Sequence, residues 1–236
     1  MIALSTNRKK IENMDKPKFT EQQLHAIKSA QLKADELKIQ SPILDDNALD
    51  LIIREARSHN GWLDKPVSDD LLKQLYDIVK MGSTSMNTCP ARFVFIRTDE
   101  AKKRLKKCLA PLNVDKVLSA PVTVIIGHDM EFFKHMPKLF AHNPGAQSLF
   151  ENNPNMVSST AFRNGTLQGG YLMIAARALG LDIGPMSGFN NQAADDEFFS
   201  GTSIKSNFLC SLGYGDTKKI FQRLPRFEFD EVCSLL

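Results

Sequence analysis

The chain has 236 residues, 42% of them hydrophobic and 24% charged, the balance of a soluble globular protein with one domain and an appendage. Its 30 basic and 27 acidic side chains leave a net charge of +3, which argues against nucleic acid or an anionic membrane as a partner. Cys89, Cys108, Cys210 and Cys233 show neither C-x-x-C nor zinc-finger spacing, so reduced thiols in a cytoplasmic protein are expected and no bound metal is.

Residues 1–18 are polar and Lys-rich, without an apolar stretch of signal-peptide length, and are expected to be disordered. Residues 20–40 read as a helix with a thin stripe of Leu24, Ile27, Leu32 and Leu37, ended by Ser41-Pro42. This divides the chain into an N-terminal extension, 1–41, and a domain, 42–236. Helical periods follow at 45–57 and 69–80, the second capped by Ser68, stapled by Val67 to Leu72 and stopped by Gly82. Residues 93–96 form a short buried strand, then a helix carries Lys102, Lys103, Arg104, Lys106 and Lys107 as a solvated face. A helical turn at 113–118 precedes a second strand at 121–127. Residues 130–156 read as a Met/Phe-rich helix and a loop. The longest apolar helix, 160–180, contains Gly165, Gly169 and Gly170, each costing about 1 kcal/mol unless another helix approaches closely. Gln168 and Arg177 interrupt its apolar run, so it is a core helix rather than a membrane span. A strand at 181–184, a helix at 192–199 and a strand at 208–213 complete a layered α+β or α/β domain, with strand directions left open.

Several common sites are excluded by spacing. Gly213-Tyr214-Gly215 lacks the third glycine and the following βαβ unit of a dinucleotide fold, and there is no P-loop or G-x-S-x-G elbow. The five histidines form no i, i+4 pair; His128-Asp129 reads as a solvated strand-end pair.

What remains is a set of polar clusters at the ends of elements: Arg57-Ser58-His59-Asn60; residues 82–87, with Thr84, Ser85 and Asn87; Asn113 and Lys116; residues 184–189, with Pro185, Met186, Ser187 and Gly188; and Arg223 with Arg226. Guanidinium, hydroxyl and backbone N–H donors suit a phosphate. Amide and ammonium groups suit the pyrimidine edge of a flavin, and a glycine lets a backbone N–H approach its reactive nitrogen. Together they suit flavin mononucleotide (FMN).

Taken in order, residues 56–62 (ARSHNGW), 82–97 (GSTSMNTCPARFVFIR), 113–122 (NVDKVLSAPV), 180–189 (GLDIGPMSGF) and 205–216 (KSNFLCSLGYGD) resemble the nitroreductase superfamily across 47–236, most closely its malonic semialdehyde reductase group. The resemblance implies a three-layer α+β fold, with a central mixed or antiparallel sheet between helices, in an intertwined homodimer. It implies that Arg57, Ser58 and His59, with Arg223 and Arg226, hold the FMN phosphate. The family has further arginines where this chain has Ala56 and Asn60. The loop with Thr84, Ser85 and Asn87 would reach the flavin from the partner subunit, with Cys89 and Ala91 replacing a Gln and a Trp of the family pattern. Asn113 and Lys116 would face the pyrimidine edge, Lys116 stabilising charge on the reduced ring, and Ser187-Gly188 would meet the reactive nitrogen.

No catalytic side chain is then required. NADH or NADPH would reduce the flavin, and a small carbonyl substrate would take the hydride in its place, malonic semialdehyde giving 3-hydroxypropanoate. Arg92 and Arg163 are candidate partners for the substrate carboxylate. The glycines of the long helix and the apolar Phe227 and Phe229 agree with a dimer. The alternatives are a broad nitroaromatic, quinone, enone or free-flavin reductase, and a flavin-binding protein without turnover.

Overall fold

A computed structural model describes residues 19–40 and 43–236; the expected disorder of 1–18 and the stop at Ser41-Pro42 lie outside the described residues. Helices α1 (Glu21–Gln40), α2 (Asp46–Leu49) and α3 (Asp69–Val79) lead to strand β1 (Ala91–Ile96). Then come α4 (Asp99–Lys106), α5 (Val114–Ser119), β2 (Val122–Asp129), the short α6 (Met136–Leu139) and α7 (Ser148–Glu151), and the long α8 (Pro154–Ala178). Strand β3 (Asp182–Met186), α9 (Asn191–Phe198), β4 (Ile204–Gly213) and α10 (Phe229–Val232) finish the chain.

The sheet order is β1-β2-β4-β3, and every pairing is antiparallel. A parallel bridge from Ser58 to Ile183 makes its β3 edge mixed. β2 is buried along its whole length, its apolar Val122, Val124, Ile125 and Ile126 suiting a strand covered on both faces while Thr123, His128 and Asp129 are buried with them. Alternation along it sends Val124 and Ile126 into one core with Leu72, Leu75 and Val79 of α3 and Leu172, Ala175 and Ala176 of α8. Ile125 points the other way, against Leu105 of α4, Val117 of α5 and Phe199 just past α9. Helices therefore cover both faces of the central sheet, the three-layer α+β architecture expected.

The local signals act as read at α3, where the Ser68 side chain accepts the Leu71 N–H and Val67 and Leu72 share one core. Thr98 caps α4 in the same way, and Lys103, Arg104, Lys106 and Lys107 face solvent. α1 buries no residue, in keeping with its thin stripe.

Five expectations are corrected. The helix expected over 45–57 runs only to Leu49, continues as a wider π-type turn over Asp50–Arg54, and leaves Arg57 in extended chain beside β3. The helix expected in 130–156 is broken into short turns, because Pro137, Pro144 and Pro154 each remove a helical donor. α8 accordingly starts at Pro154, with the Asn153 side chain accepting the Met156 N–H. Gly165 and Gly169 serve the sheet rather than a second helix: a Cβ on Gly165 would lie 2.8 Å from His128 Cβ, and one on Gly169 2.5 Å from the Phe208 ring. Gly170 alone meets open space. His128 and Asp129 lie inside β2 and are buried, not solvated.

Among the described residues, no helix is long and apolar enough to cross a membrane, and no group of three or more His, Cys, Asp or Glu side chains is placed to hold a metal ion.

Candidate functional site

The N-terminal end of β3 gathers residues that lie far apart in sequence. Ser58 bridges Ile183, and the His59 N–H donates to the Ile183 carbonyl at 2.8 Å. Along the same strand, Lys116 Nζ donates to the Pro185 carbonyl at 3.3 Å. Its residue is only 8% exposed, and no other acceptor contacts this ammonium among the described residues. Burial lowers the Lys116 pKa from its ordinary value, with Cys210 acting weakly in the opposite direction. A buried ammonium with one of three donors used favours an anionic or carbonyl-rich neighbour.

Gly184 makes this approach possible, since a Cβ there would lie 2.6 Å from both the His59 carbonyl oxygen and Lys116 Cε. Trp62 completes the wall by donating its indole N–H to the Lys116 carbonyl at 3.0 Å. Beyond β3, the Gly188 carbonyl accepts from Asn113 Nδ2 at 2.8 Å and from the Ala110 N–H at 3.0 Å. The Asn113 amide oxygen is thereby left to accept from elsewhere. A Cβ on Gly188 would lie 2.6 Å from Asn113 Nδ2, so the pairing requires glycine. Met186 is partly buried against the second core, and Ser187 is exposed.

On the other side of Ser58 is a cavity of about 350 Å³ lined by Arg57, Arg177, Arg223, Arg226, Ser58, Asn60 and Gln222, with no acidic residue on its wall. Arg57 Nη2 donates to the Phe221 carbonyl, which brings the C-terminal segment across the opening. Arg223 reaches Glu55 at 3.5 Å, a weak and solvent-exposed pair.

His59 does not join this cluster. It is 4% exposed, with Nε2 3.3 Å from Asp182 Oδ1 and its ring against Gly215, and it lines an adjoining cavity with Asp182, Arg57 and Arg177 instead of this one. The hydrogen bond from His59, opposed by burial and aided by the Gly215 N–H, holds Asp182 below the usual carboxylate range. The loop with Thr84, Ser85 and Asn87 is also elsewhere in the chain. Ser85 N–H donates to Asn164 Oδ1 at 2.8 Å, at a point of α8 about 20 Å along the helix from Arg177. Asn87 Nδ2 donates to the Leu139 carbonyl. Met86, Asn87 and Cys89 all have left-handed φ, of 51°, 51° and 40°. Such conformations cost about 1–3 kcal/mol each and persist only where surroundings hold them.

The holding groups were not apparent in the sequence. Asn164, Gln168 and Tyr171, one helical face of α8, bind Ser85 N–H, Ala91 N–H and the Ser83 carbonyl respectively. Arg92 ties Cys89 and Pro90 carbonyls to Asp129, so its guanidinium is already engaged; Arg163 is exposed. Arg177 was read only as an interruption of an apolar run. The signal for all four was polarity on the buried side of a long apolar helix.

The Nitroreductase family profile matches residues 53–215. The chain belongs to the nitroreductase family. It is 57% identical over 189 residues to a Cupriavidus pinatubonensis protein assigned the name NADH dehydrogenase/NAD(P)H nitroreductase, covering 79% of this chain and 96% of that one. In fold it is similar to the Bacillus subtilis nitroreductase ydfN, at a TM-score of 0.75 and 19% identity over 81% of this chain and 100% of the other. An Exiguobacterium sibiricum nitroreductase solved in complex with FMN gives a TM-score of 0.74 at 17% identity, over 82% and 98% of the two chains.

Proposed function

We propose that this nitroreductase is an FMN-dependent oxidoreductase that draws on NADH or NADPH and reduces a small carbonyl compound, malonic semialdehyde to 3-hydroxypropanoate. The observation that carries the cofactor is the pairing, on one strand, of an acid-free arginine-lined cavity with a buried ammonium that has one acceptor. The donor set fits FMN. Arg57, Ser58, Asn60, Arg223 and Arg226 would hold the phosphate, and Asn113, Lys116 and the backbone of Pro185, Met186, Ser187 and Gly188 would line the ring. The family profile, the relative's name and the FMN-bound neighbour support the same reading.

FMN bound here would supply hydride-transfer chemistry between a nicotinamide and a carbonyl substrate. Lys116, 8% exposed and donating to the Pro185 carbonyl, would present a preorganised positive charge to the pyrimidine edge of a bound flavin. Asn113 presents its amide oxygen, its nitrogen being fixed by Gly188. Trp62 fixes the Lys116 backbone through its carbonyl, and the bare Cα of Gly184 leaves room for the Lys116 stem. Cys210 and Cys108 are packed in the core, where burial pushes the first up to about 12 and raises the second, so both are held as thiols.

The substrate assignment rests on the likeness of residues 56–62, 82–97, 113–122, 180–189 and 205–216 to the malonic semialdehyde reductase group. Cys89 and Ala91 in place of larger side chains make a pocket wall different from that of nitroaromatic reductases. We further propose a cytoplasmic homodimer, in which the 83–91 loop of one copy meets the β3 site of the other, with residues 1–41 as an appendage to the 42–236 domain. The decisive measurement is the absorption spectrum of protein reconstituted with FMN. A yellow protein bleached anaerobically by NADH or NADPH, and recoloured by malonic semialdehyde faster than by menadione or a nitroaromatic, is expected. Protein that stays colourless in excess FMN refutes the cofactor. Recolouring by menadione alone refutes the substrate and leaves a quinone reductase.

A further inference from the structure

Arg177 sits in the last full turn of α8, the end of a helix where a cation is favoured by the backbone dipole. It is half-buried, and burial lowers its pKa, with Cys210 and Asp182 acting against that change. Of its five donors, Nη1 reaches the Ile52 carbonyl at 2.9 Å and Nη2 the Arg57 carbonyl at 3.4 Å. No carboxylate lies within ion-pair distance among the described residues. Asp182 is the nearest candidate, but one of its oxygens faces His59 and the other accepts the Gly215 N–H at 2.7 Å. A guanidinium with partial burial, three spare donors and no counter-ion is costly to maintain without an anion.

That anion has a place. Arg177 lines the 350 Å³ cavity together with Arg57, Ser58, Asn60, Arg223 and Arg226. Four arginines around one small space repel one another, and the one carboxylate that reaches any of them among the described residues is Glu55, 3.5 Å from the exposed Arg223, so a dianion would offset the rest. The wall has no acidic side chain to supply those charges. A planar fork on a rigid helix is also suited to grip phosphate oxygens two at a time, with little ordering cost. Arg57 lies in extended chain and Arg223 and Arg226 on an exposed segment, so Arg177 is the one guanidinium in the cavity fixed by a long helix.

We infer that Arg177 is a phosphate-gripping residue of the cofactor site, which at the same time holds Arg57 in position through its backbone carbonyl. This rests on the FMN reading above and deepens it.

The test compares FMN with riboflavin, which has the same ring and ribityl chain but no phosphate. Binding of each is followed by quenching of flavin fluorescence in wild type, Arg177→Met, Arg177→Gln and Arg177→Lys, with melting temperature and circular dichroism recorded in parallel. The wild type should prefer FMN. Arg177→Met and Arg177→Gln should weaken FMN about tenfold or more while leaving riboflavin nearly unchanged, and Arg177→Lys should recover part of the loss. If Arg177→Met does not fold, Arg177→Gln, which keeps an N–H for the Ile52 carbonyl, and Arg177→Lys decide the matter. Equal weakening of FMN and riboflavin, or an unchanged FMN preference in the neutral variant, overturns the assignment of Arg177 alone. Wild type that binds riboflavin as tightly as FMN overturns the phosphate reading of the whole cavity.

Discussion

At the scale of single residues, Lys116 is the most exacting case. Its ammonium is buried with one acceptor at 3.3 Å, and burial lowers its pKa. A lysine with a folded pKa below its unfolded value binds fewer protons when folded. The protein without flavin should therefore gain stability as pH rises from the folded value towards the unfolded one, and be penalised below it. Lys116→Met removes that penalty while keeping the packed stem, so the apoprotein should melt no lower than wild type and its alkaline gain should disappear. On the proposed assignment the same variant loses charge stabilisation at the ring edge, and anaerobic reduction by NADH should slow by about 10- to 100-fold. Stopped-flow bleaching together with melting curves at pH 7 and 10 checks both. A variant that is reduced as fast as wild type refutes the electrostatic role.

The residue scale also shows what sequence reading reaches. Arg57, Ser58, Asn113, Lys116 and Gly188 stand out as polar groups at element ends, and the fold brings them to β3. His59 joins its neighbours in the sequence reading through the family resemblance. Extended chain turns alternate residues in opposite directions, which sends Ser58 outward and His59 inward to Asp182. Arg177 escaped notice for the opposite reason. Its context was apolar, and an unpaired charge is only recognisable once its surroundings are known.

At the scale of elements, α8 does more than fill the core. Its face of Asn164, Gln168 and Tyr171 grips the 83–91 loop by three backbone groups, offsetting the cost of the left-handed Met86, Asn87 and Cys89. These residues follow the helical i, i+4, i+7 spacing, but period alone gives a polar stripe no partner. Strand and helix positions are legible where an apolar run marks them, Val124–Ile126 in β2 and Phe208–Cys210 in β4, and where α3 and α4 carry capping residues; Lys205, Ser206 and Asn207 hide the first part of β4. The segment between β2 and α8 is not legible, because its apolar content outweighed three prolines in the reading, whereas the backbone obeys the prolines. Gln168→Leu tests the loop grip. It leaves the buried Ala91 N–H without an acceptor and should cost about 1–3 kcal/mol in urea unfolding. Amide exchange at residues 84–91 should accelerate by more than it does in the sheet. Uniform acceleration would show that the side chain supports only the global fold.

At the scale of the molecule, one chain keeps the arginine cavity and the 83–91 loop apart, and its C-terminal segment is left open. Every residue after Ile220 is exposed, including Phe227 at 74%, Phe229 at 56% and Leu235 at 88%. So many large apolar side chains in a row amount to a patch that solitary chains rarely expose. The proposed homodimer would bury it on a second copy and bring the two halves of the site together in the same step. Phe227→Asp with Phe229→Asp tests this while leaving Arg223 and Arg226 in place. Each phenylalanine buried contributes about 1.5–3 kcal/mol, so the pair should weaken association by at least about a hundredfold. Sedimentation velocity should show wild type as a dimer and the double variant as a monomer with unchanged circular dichroism. On the proposed dimer, flavin should be lost with dissociation, because a monomer would lack the partner loop over the ring. A double variant that sediments and binds FMN like wild type would place the C-terminal phenylalanines outside any interface. A wild-type monomer that turns over NADH would mean that one copy completes the site unaided.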